Sequence, residues 1–265
     1  MSKKRLDQLL FDNGYAESRE RAKAVIMSGC VYINGKKADK PGMAVPEDSK
    51  LEIHGSPLRY VSRGGLKLEK ALEVFPVSVE GKVCIDCGAS TGGFTDVLLQ
   101  NGASKVYSVD VGYGQLAWKL RQDTRVINLE RCNLRYLSHD QVPELLDLAV
   151  MDVSFISIRL ILPVIKAFLK DDADYICLIK PQFEAGREQV GKKGVVRDPD
   201  VHINVIHTCL DSARECGYSV LGLDYSPIRG PEGNIEFLCH LKNARMKEPD
   251  LNIAEIVDAA HREKL

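Results

Sequence analysis

Residues 82–94 read K-V-C-I-D-C-G-A-S-T-G-G-F: an apolar run from Val83 to Cys87, then Gly88, Gly92 and Gly93, then helical spacing from Phe94 to Gln100. Glycines where a strand becomes a helix let a ligand approach the backbone, and the helix N-terminus offers unpaired N–H groups. A dinucleotide fingerprint would want a glycine where Ser90 stands, which weakens a nicotinamide reading. Asp86 before the turn, and Asp110 closing the next apolar run K-V-Y-S-V-D, suit instead a ligand with an amino-acid end and a ribose, S-adenosylmethionine. Taken alone, the glycines also fit a plain structural turn.

Two amines and two carboxylates lie beside other apolar runs. Asp152 and Lys180 end such runs, Glu236 stands near the start of the last, and Lys67 borders the stripe Leu68, Ala71, Leu72, Phe75 of a predicted helix. By itself Lys67 reads as a surface lysine, and the four together could be ion pairs at a sheet edge. The elements that must position them decide the matter. From Lys82 onward strands (82–87, 104–110, 125–129, 147–152, 174–180) alternate with helices (93–101, 114–121, 156–169), which predicts an α/β fold with a parallel sheet covered on both faces. Such sheets bind ligands beyond the carboxyl ends of their strands. The glycine turn, Asp110, Glu130 to Asn133, Asp152 and Lys180 all fall at those ends.

A helix from Asp198 to Cys216 and strands at 219–225 and 235–241 follow, and residues 252–264 form an amphipathic tail helix. The loop from Gly186 to Arg197, rich in glycine and charge, reads as a lid or an RNA-touching loop.

The chain of 265 residues, 45% hydrophobic and 28% charged, has material for one main domain and a small one. Its net charge of -1 hides a division: residues 1–70 hold 14 Lys+Arg against 9 Asp+Glu, and the remainder holds 22 against 28. A polyanion is therefore expected at the basic end. Of the eight cysteines, Cys84 and Cys87 form a lone C-x-x-C whose side chains on a strand point to opposite faces, and no second pair has zinc-ligand spacing, so no metal is expected. No apolar run approaches the roughly 18 residues of a membrane helix, and no leader pattern opens the chain, so a cytoplasmic protein without a membrane partner is expected.

In the basic end, Leu6, Leu9 and Leu10 mark one helix, Ser18 caps a second with Ala22, Val25 and Ile26 inward, and Asn34-Gly35 signals a hairpin between Cys30–Ile33 and Lys36-Lys37. Another short strand is predicted from Lys50 to His54. The segments R-L-D-Q-L-L, S-R-E-R-A-K-A-V-I-M-S-G-C-V-Y-I-N-G-K and K-P-G resemble the small RNA-binding domain first recognised in ribosomal protein S-four. That resemblance implies contact with structured RNA, with Arg5, Arg19, Arg21, Lys23, Lys36 and Lys37 as candidates.

Lys67, Asp152, Lys180 and Glu236, in the settings S-R-G-G-L-K-L, M-D-V-S-F-I-S, I-K-P-Q-F-E and G-N-I-E-F, resemble the Lys-Asp-Lys-Glu tetrad of FtsJ-type ribose 2'-O-methyltransferases. With D-C-G-A-S-T-G-G-F-T-D and the basic end, the whole chain resembles the TlyA family, bacterial rRNA 2'-O-methyltransferases often labelled hemolysins. The resemblance implies a Rossmann-like class I methyltransferase domain with a seven-stranded sheet, acting on cytidine in ribosomal RNA or ribosomal subunits. The expected organisation is an RNA-binding domain over 1–58, a linker at 59–63, the methyltransferase domain over 64–245 and a helical tail over 246–265.

For the cofactor, Gly88, Ser90, Thr91, Gly92, Gly93 and Phe94 are expected to hold the methionine end and Asp110 the ribose. Asn133 stands where the family has an adenine-proximal group, and Asp86 serves either the turn or the ligand. Because the sulfonium methyl is already activated, the protein must align the acceptor oxygen and take one proton. Lys180 is the expected acceptor, which requires its pKa to be brought to about 7 to 8 by burial or a nearby cation. Asp152 is expected beside the reacting methyl, orienting Lys180, and Glu236 is expected to pair with Lys67. A membrane-active hemolysin finds no amphipathic or apolar segment of suitable length. A non-catalytic RNA-binding scaffold would be expected to have lost a tetrad position, and none is lost.

Overall fold

The computed structural model describes residues 3–16, 18–27, 29–53 and 59–263, which divide into compact units of residues 1–63 and 64–265. The end of the predicted strand at His54, residues 55–58 at the end of the expected RNA-binding domain and the last two positions of the tail lie outside the described residues.

In the first unit, helices α1 (Leu6–Asp12) and α2 (Arg19–Met27) pack Leu6, Leu9, Leu10, Ala22, Val25 and Ile26 into one core. The Ser18 hydroxyl accepts the Arg21 amide at 3.1 Å, the predicted cap. Strand β1 (Lys3–Arg5) was not legible in the sequence, because its three residues carry no apolar alternation; it pairs antiparallel with β4 (Ala44–Pro46). Strands β2 (Val31–Ile33), β3 (Lys36–Lys37) and β5 (Leu51–Ile53) form a second sheet. Its hairpin turns at Asn34 (φ 50°) and Gly35 (φ 76°), the paired left-handed residues of a tight two-residue loop.

The second unit is a seven-stranded sheet. Strands β6 (Val83–Cys87), β7 (Lys105–Val109), β8 (Val126–Leu129), β9 (Leu146–Met151), β10 (Leu169–Ile179), β11 (Ser219–Tyr225) and β12 (Phe237–Lys242) stand in the order β11-β12-β10-β9-β6-β7-β8. Strand β12 runs antiparallel to both of its neighbours, β10 and β11, and the other pairings in the sheet are parallel. Residues such as Ile85, Val109, Ala149, Met151, Tyr175 and Cys177 are wholly covered, as strands buried on both faces require. The register sets Cys87 opposite both Val109 and Met151, Cys177 opposite Met151, and Ile179 opposite Phe237. The carboxyl ends of β6, β7, β9 and β10 therefore share one edge with the start of β12.

Helices α3 (Gly65–Val74), α4 (Gly93–Gln100), α5 (Trp118–Arg121), α6 (Leu162–Lys166), α7 (Pro181–Glu184), α8 (Pro199–Glu215) and α9 (Ile253–Arg262) complete the unit. Two are shorter than the sequence predicts. The helix expected over 114–121 begins only at Trp118, because the preceding chain closes on Asp110, Glu130 and Thr91 through the amides of Gly112, Gly114 and Ala117. The helix expected over 156–169 is a 3-10 turn at Ile158–Leu160 and then α6, with Pro163 in its first turn. Strand β10 begins early, since Leu169 already pairs with Leu146. The Gly186 to Arg197 loop is fastened by Asn234, whose side chain accepts the Val196 amide at 3.0 Å and donates to the Gly194 carbonyl at 2.9 Å.

Candidate active site

Lys67 comes from α3, Asp152 follows β9, Lys180 follows β10, and Glu236 precedes β12. The sheet brings all four together. The Lys67 ammonium donates to Glu236 Oε2 at 2.6 Å and to Asp152 Oδ2 at 3.0 Å. Lys180 pairs with the other oxygen of Asp152 and donates to the Ser154 hydroxyl at 3.1 Å. Asp152 is thus a carboxylate held between two ammonium groups. Gln182 completes the chain by donating to Glu236 Oε1 at 3.4 Å.

Three of these charges are buried: Lys67 is 6% exposed, Lys180 7% and Glu236 1%. Burial of an unpaired charge is prohibitive, so each depends on its partners. Burial alone would lower the Lys67 pKa, but Asp152 and Glu236 outweigh it and hold the amine above its ordinary value. For Asp152, burial pushes the carboxyl up, and Lys67 and Lys180 together bring it below the usual range.

The glycine turn adjoins this cluster. The amide of Asp152 donates to the Cys87 carbonyl at 3.0 Å. Gly88 has φ +86°, and a Cβ there would stand 2.8 Å from the Asp152 carbonyl oxygen, so the turn touches the tetrad only because the side chain is absent. The amides of Thr95 and Asp96 in α4 go to Asp86 and Gly92, whereas those of Gly93 and Phe94 have no hydrogen-bond partner among the described residues. These unpartnered amides at a helix N-terminus fit a small anionic group such as a carboxylate.

Asp110 accepts the Ser90 amide at 2.8 Å on one oxygen and the Gly112 amide at 2.7 Å on the other, tying the turns after β6 and β7 together. Its carbonyl accepts the Cys132 amide, one residue before Asn133, whose side chain caps the next turn by accepting the Arg135 amide at 3.1 Å. Asp86 lies beneath the turn, 1% exposed, with Oδ2 accepting the Thr95 amide and hydroxyl at 2.9 and 2.7 Å. Its Oδ1 is buried with no partner, and burial pushes the carboxyl up to about 7 against the Thr95 hydrogen bonds. Phe94 is also buried, so it meets a ligand only through its backbone.

Sequence reasoning missed several neighbours. Phe155 is 91% exposed with φ +65°, and its ring centroid lies 5.1 Å from that of Phe183. Both line an open cleft of about 700 Å³ with Arg135, Leu160 and Arg187. Adjacency to Asp152 and Lys180 was the available signal, since Ser154-Phe155 and Gln182-Phe183 stand within three residues of them. In the first unit the missed residue is Asp7. Wholly buried, it accepts from Arg5 at 3.0 Å and Arg19 at 3.2 Å, and Arg5 foremost brings its carboxyl down to about 2. Arg21 donates to the Tyr60 carbonyl at 3.2 Å, and Lys23, Lys36 and Lys37 are exposed.

Residues 60–243 match the FtsJ-like methyltransferase family. The chain belongs to that family. Residues 4–50 of this FtsJ-like chain match the S4 domain. It is 54% identical over 266 residues, 98% of its own length and 95% of the relative's, to Bacillus subtilis YqxC, named as a candidate rRNA methyltransferase. It is 44% identical to a Mycobacterium tuberculosis protein named 16S/23S rRNA (cytidine-2'-O)-methyltransferase TlyA, covering 97% of this chain and 96% of that one. A solved structure named as a hemolysin, from Streptococcus thermophilus, superposes with a TM-score of 0.79 at 51% identity, covering 99% and 97% of the two chains. Among the described residues, no helix is long and apolar enough to cross a membrane.

Proposed function

We propose that this FtsJ-like chain transfers a methyl group from S-adenosylmethionine to the ribose 2'-oxygen of a cytidine in ribosomal RNA. The observation that carries the reading is Asp152, which is shared by two ammonium groups through its side chain and abuts a glycine turn through its backbone carbonyl. The name of the Mycobacterium tuberculosis relative supports the choice of cytidine and of ribosomal RNA.

In this reading the amides of Gly93 and Phe94 hold the methionine carboxylate, and Gly88, Ser90, Thr91 and Gly92 shape the turn that admits it. Asp110 meets the ribose through oxygen lone pairs not used by Ser90 and Gly112. Asn133 stands beside that loop, and Asp86 supports the turn through Thr95. The bound cofactor supplies an activated methyl group; the protein supplies alignment and a proton acceptor.

Lys180 orients the 2'-hydroxyl and, having first released one ammonium proton to solvent, takes the hydroxyl's proton at Nζ. Lys67 takes no proton in this reading. Held above its ordinary pKa between two carboxylates, it stays a cation and fixes Asp152, while Glu236 fixes Lys67. Asp152 in turn aims Lys180, and Ser154 offers that amine a second partner. The Phe155–Phe183 pair offers apolar faces on which a base can stack.

The first unit supplies RNA affinity through Arg5, Arg19, Arg21, Lys23, Lys36 and Lys37. Asp7 holds Arg5 and Arg19 as a pair, so part of the ordering of those side chains precedes RNA contact. The test is to incubate ribosomal subunits with methyl-labelled cofactor and map the label. A methyl on a ribose 2'-oxygen, which blocks alkaline cleavage at that nucleotide, is expected; label on a base would refute the reading.

A further inference from the structure

Beyond the tetrad, one carboxylate close to the site serves neither the cofactor cradle nor the proton transfer. Glu184 ends α7, the single turn that begins directly after Lys180. Its side chain is 2% exposed. Oε2 accepts the Ser157 hydroxyl at 2.6 Å, and Oε1 accepts the Ile158 amide at 2.7 Å. Arg159 stands 3.5 Å from Oε2 and donates at 3.1 Å to the Ser157 hydroxyl. A carboxylate buried to this degree and satisfied by two short hydrogen bonds from one loop holds that loop in a single conformation.

The loop in question runs from Asp152 to Arg159. It carries Ser154, which accepts from Lys180, and Phe155, whose aromatic side chain projects into solvent from a left-handed backbone. That conformation is unfavourable for a residue with a Cβ and persists only where its surroundings enforce it. On the far side of Phe155 the chain is fixed at Ser157 and Ile158 by Glu184, one residue after Phe183, the ring that Phe155 faces. Lys180, Phe183 and Glu184 thus reach the loop from one short element.

We propose that Glu184 is a positioning residue for the acceptor nucleotide: by clamping Ser157 and Ile158 it keeps Phe155 projecting over Phe183, where the substrate base is received. The inference rests on the ribose-methylation reading. Glu184 does not touch the reacting atoms, so its loss acts on acceptor binding rather than on the cofactor.

The test compares the full-length wild type with Glu184→Ala, Glu184→Gln, Ser157→Ala and Phe155→Ala, measuring kcat and KM with ribosomal subunits and cofactor affinity by calorimetry. Glu184→Ala is expected to raise the KM for subunits about tenfold or more, with kcat within about threefold and cofactor affinity within about twofold. Glu184→Gln keeps one acceptor for the Ile158 amide and a group able to pair with Ser157, so it is expected to restore KM to within about threefold of wild type. Combining Glu184→Ala with Phe155→Ala is expected to cost no more than Phe155→Ala alone, since both act through the same ring.

If Glu184→Ala does not fold, Ser157→Ala carries the test, with KM expected to rise about threefold at unchanged cofactor affinity. An unchanged KM in the folded variants overturns the clamp. So does a parallel loss of cofactor affinity that Glu184→Gln fails to rescue, which would mark a carboxylate needed only for folding. A wild type that methylates no ribose removes the underlying reading, whereas an active wild type with indifferent variants removes the clamp alone.

Discussion

The Lys67 ammonium donates to Glu236 Oε2 at 2.6 Å across 169 positions of sequence, joining helix α3 to the start of an antiparallel strand. Glu236 is 1% exposed, and its second oxygen is met by Gln182. The pair closes the tetrad, and it places the Glu236 charge where Lys67 makes that charge tolerable.

Removing Lys67 strands Glu236 and leaves Asp152 with Lys180 alone. Lys67→Ala is expected to cost about 3 to 5 kcal/mol of unfolding free energy, the usual effect of breaking a buried pair from one side. Lys67→Ala combined with Glu236→Gln is expected to be more stable than Lys67→Ala alone, because the orphaned charge is gone. Urea unfolding of the two variants checks this, and a double variant less stable than the single one would argue against a buried, obligatory pair.

Gly88 and Gly81 separate backbone strain from steric exclusion. Both have positive φ, but a Cβ at Gly88 meets the Asp152 carbonyl at 2.8 Å, whereas at Gly81 nothing lies within 4 Å. Either alanine variant is expected to lose on the order of 1 kcal/mol from strain. Gly88→Ala is expected also to weaken cofactor binding by about tenfold or more, equivalent to about 1.4 kcal/mol, with Gly81→Ala unchanged in calorimetry.

Asp86 gives a pH signature. Its native carboxyl is pushed up to about 7 by burial, above its value of about 3.9 in the unfolded chain. The folded state therefore holds the proton more tightly, and stability is full below about pH 4 and declines as pH rises toward 7. Asp174 acts in the opposite sense: burial would raise its carboxyl, but His240 and Lys82 bring it to about 2, so its contribution is lost only in acid. His202, whose imidazole is brought down to about 4 by burial, contributes stability that grows with pH over part of the same range, so the wild-type urea midpoint measured relative to that of Asp86→Asn, which still accepts from Thr95, should fall between pH 5 and 7. An equal slope in both would contradict the assignment.

In the RNA-binding unit, Arg19→Ala with Lys23→Ala is expected to weaken binding to ribosomal RNA and to reduce the log-affinity against log-salt slope by about one to two, in proportion to the phosphates released. Filter binding at several salt concentrations measures the slope. An unchanged slope would remove this surface from RNA contact.

Much of this was legible in the sequence for identifiable reasons. Strands buried on both faces leave unbroken apolar runs such as Leu148 to Met151, and their polar ends, Asp110, Asp152 and Lys180, stand out against them. The Asn34-Gly35 turn and the Ser18 cap are local rules, read from a few residues. Lys67 was not legible alone. It sits beside an apolar stripe like any solvated lysine, and only Asp152 and Glu236, remote in sequence, make its burial tolerable. Asp7, Ser154, Phe155 and Glu184 escaped for the same reason: their meaning lies in what the fold sets against them. The shortened helices reflect tertiary demands, Leu169 pairing with Leu146 and Gly112 closing on Asp110, which outweigh helical spacing.

The central claim, that Asp152 and Lys180 align a ribose hydroxyl and take its proton, is tested most directly with Lys180→Ala. Ribosomal subunits are incubated with labelled S-adenosylmethionine and either protein, and cofactor affinity is measured in parallel. The wild type is expected to label a 2'-oxygen, and the variant to lose transfer by about a thousandfold, within the range attributed to a positioned general base, while binding cofactor within about threefold of wild type. Turnover retained by Lys180→Ala would contradict the account.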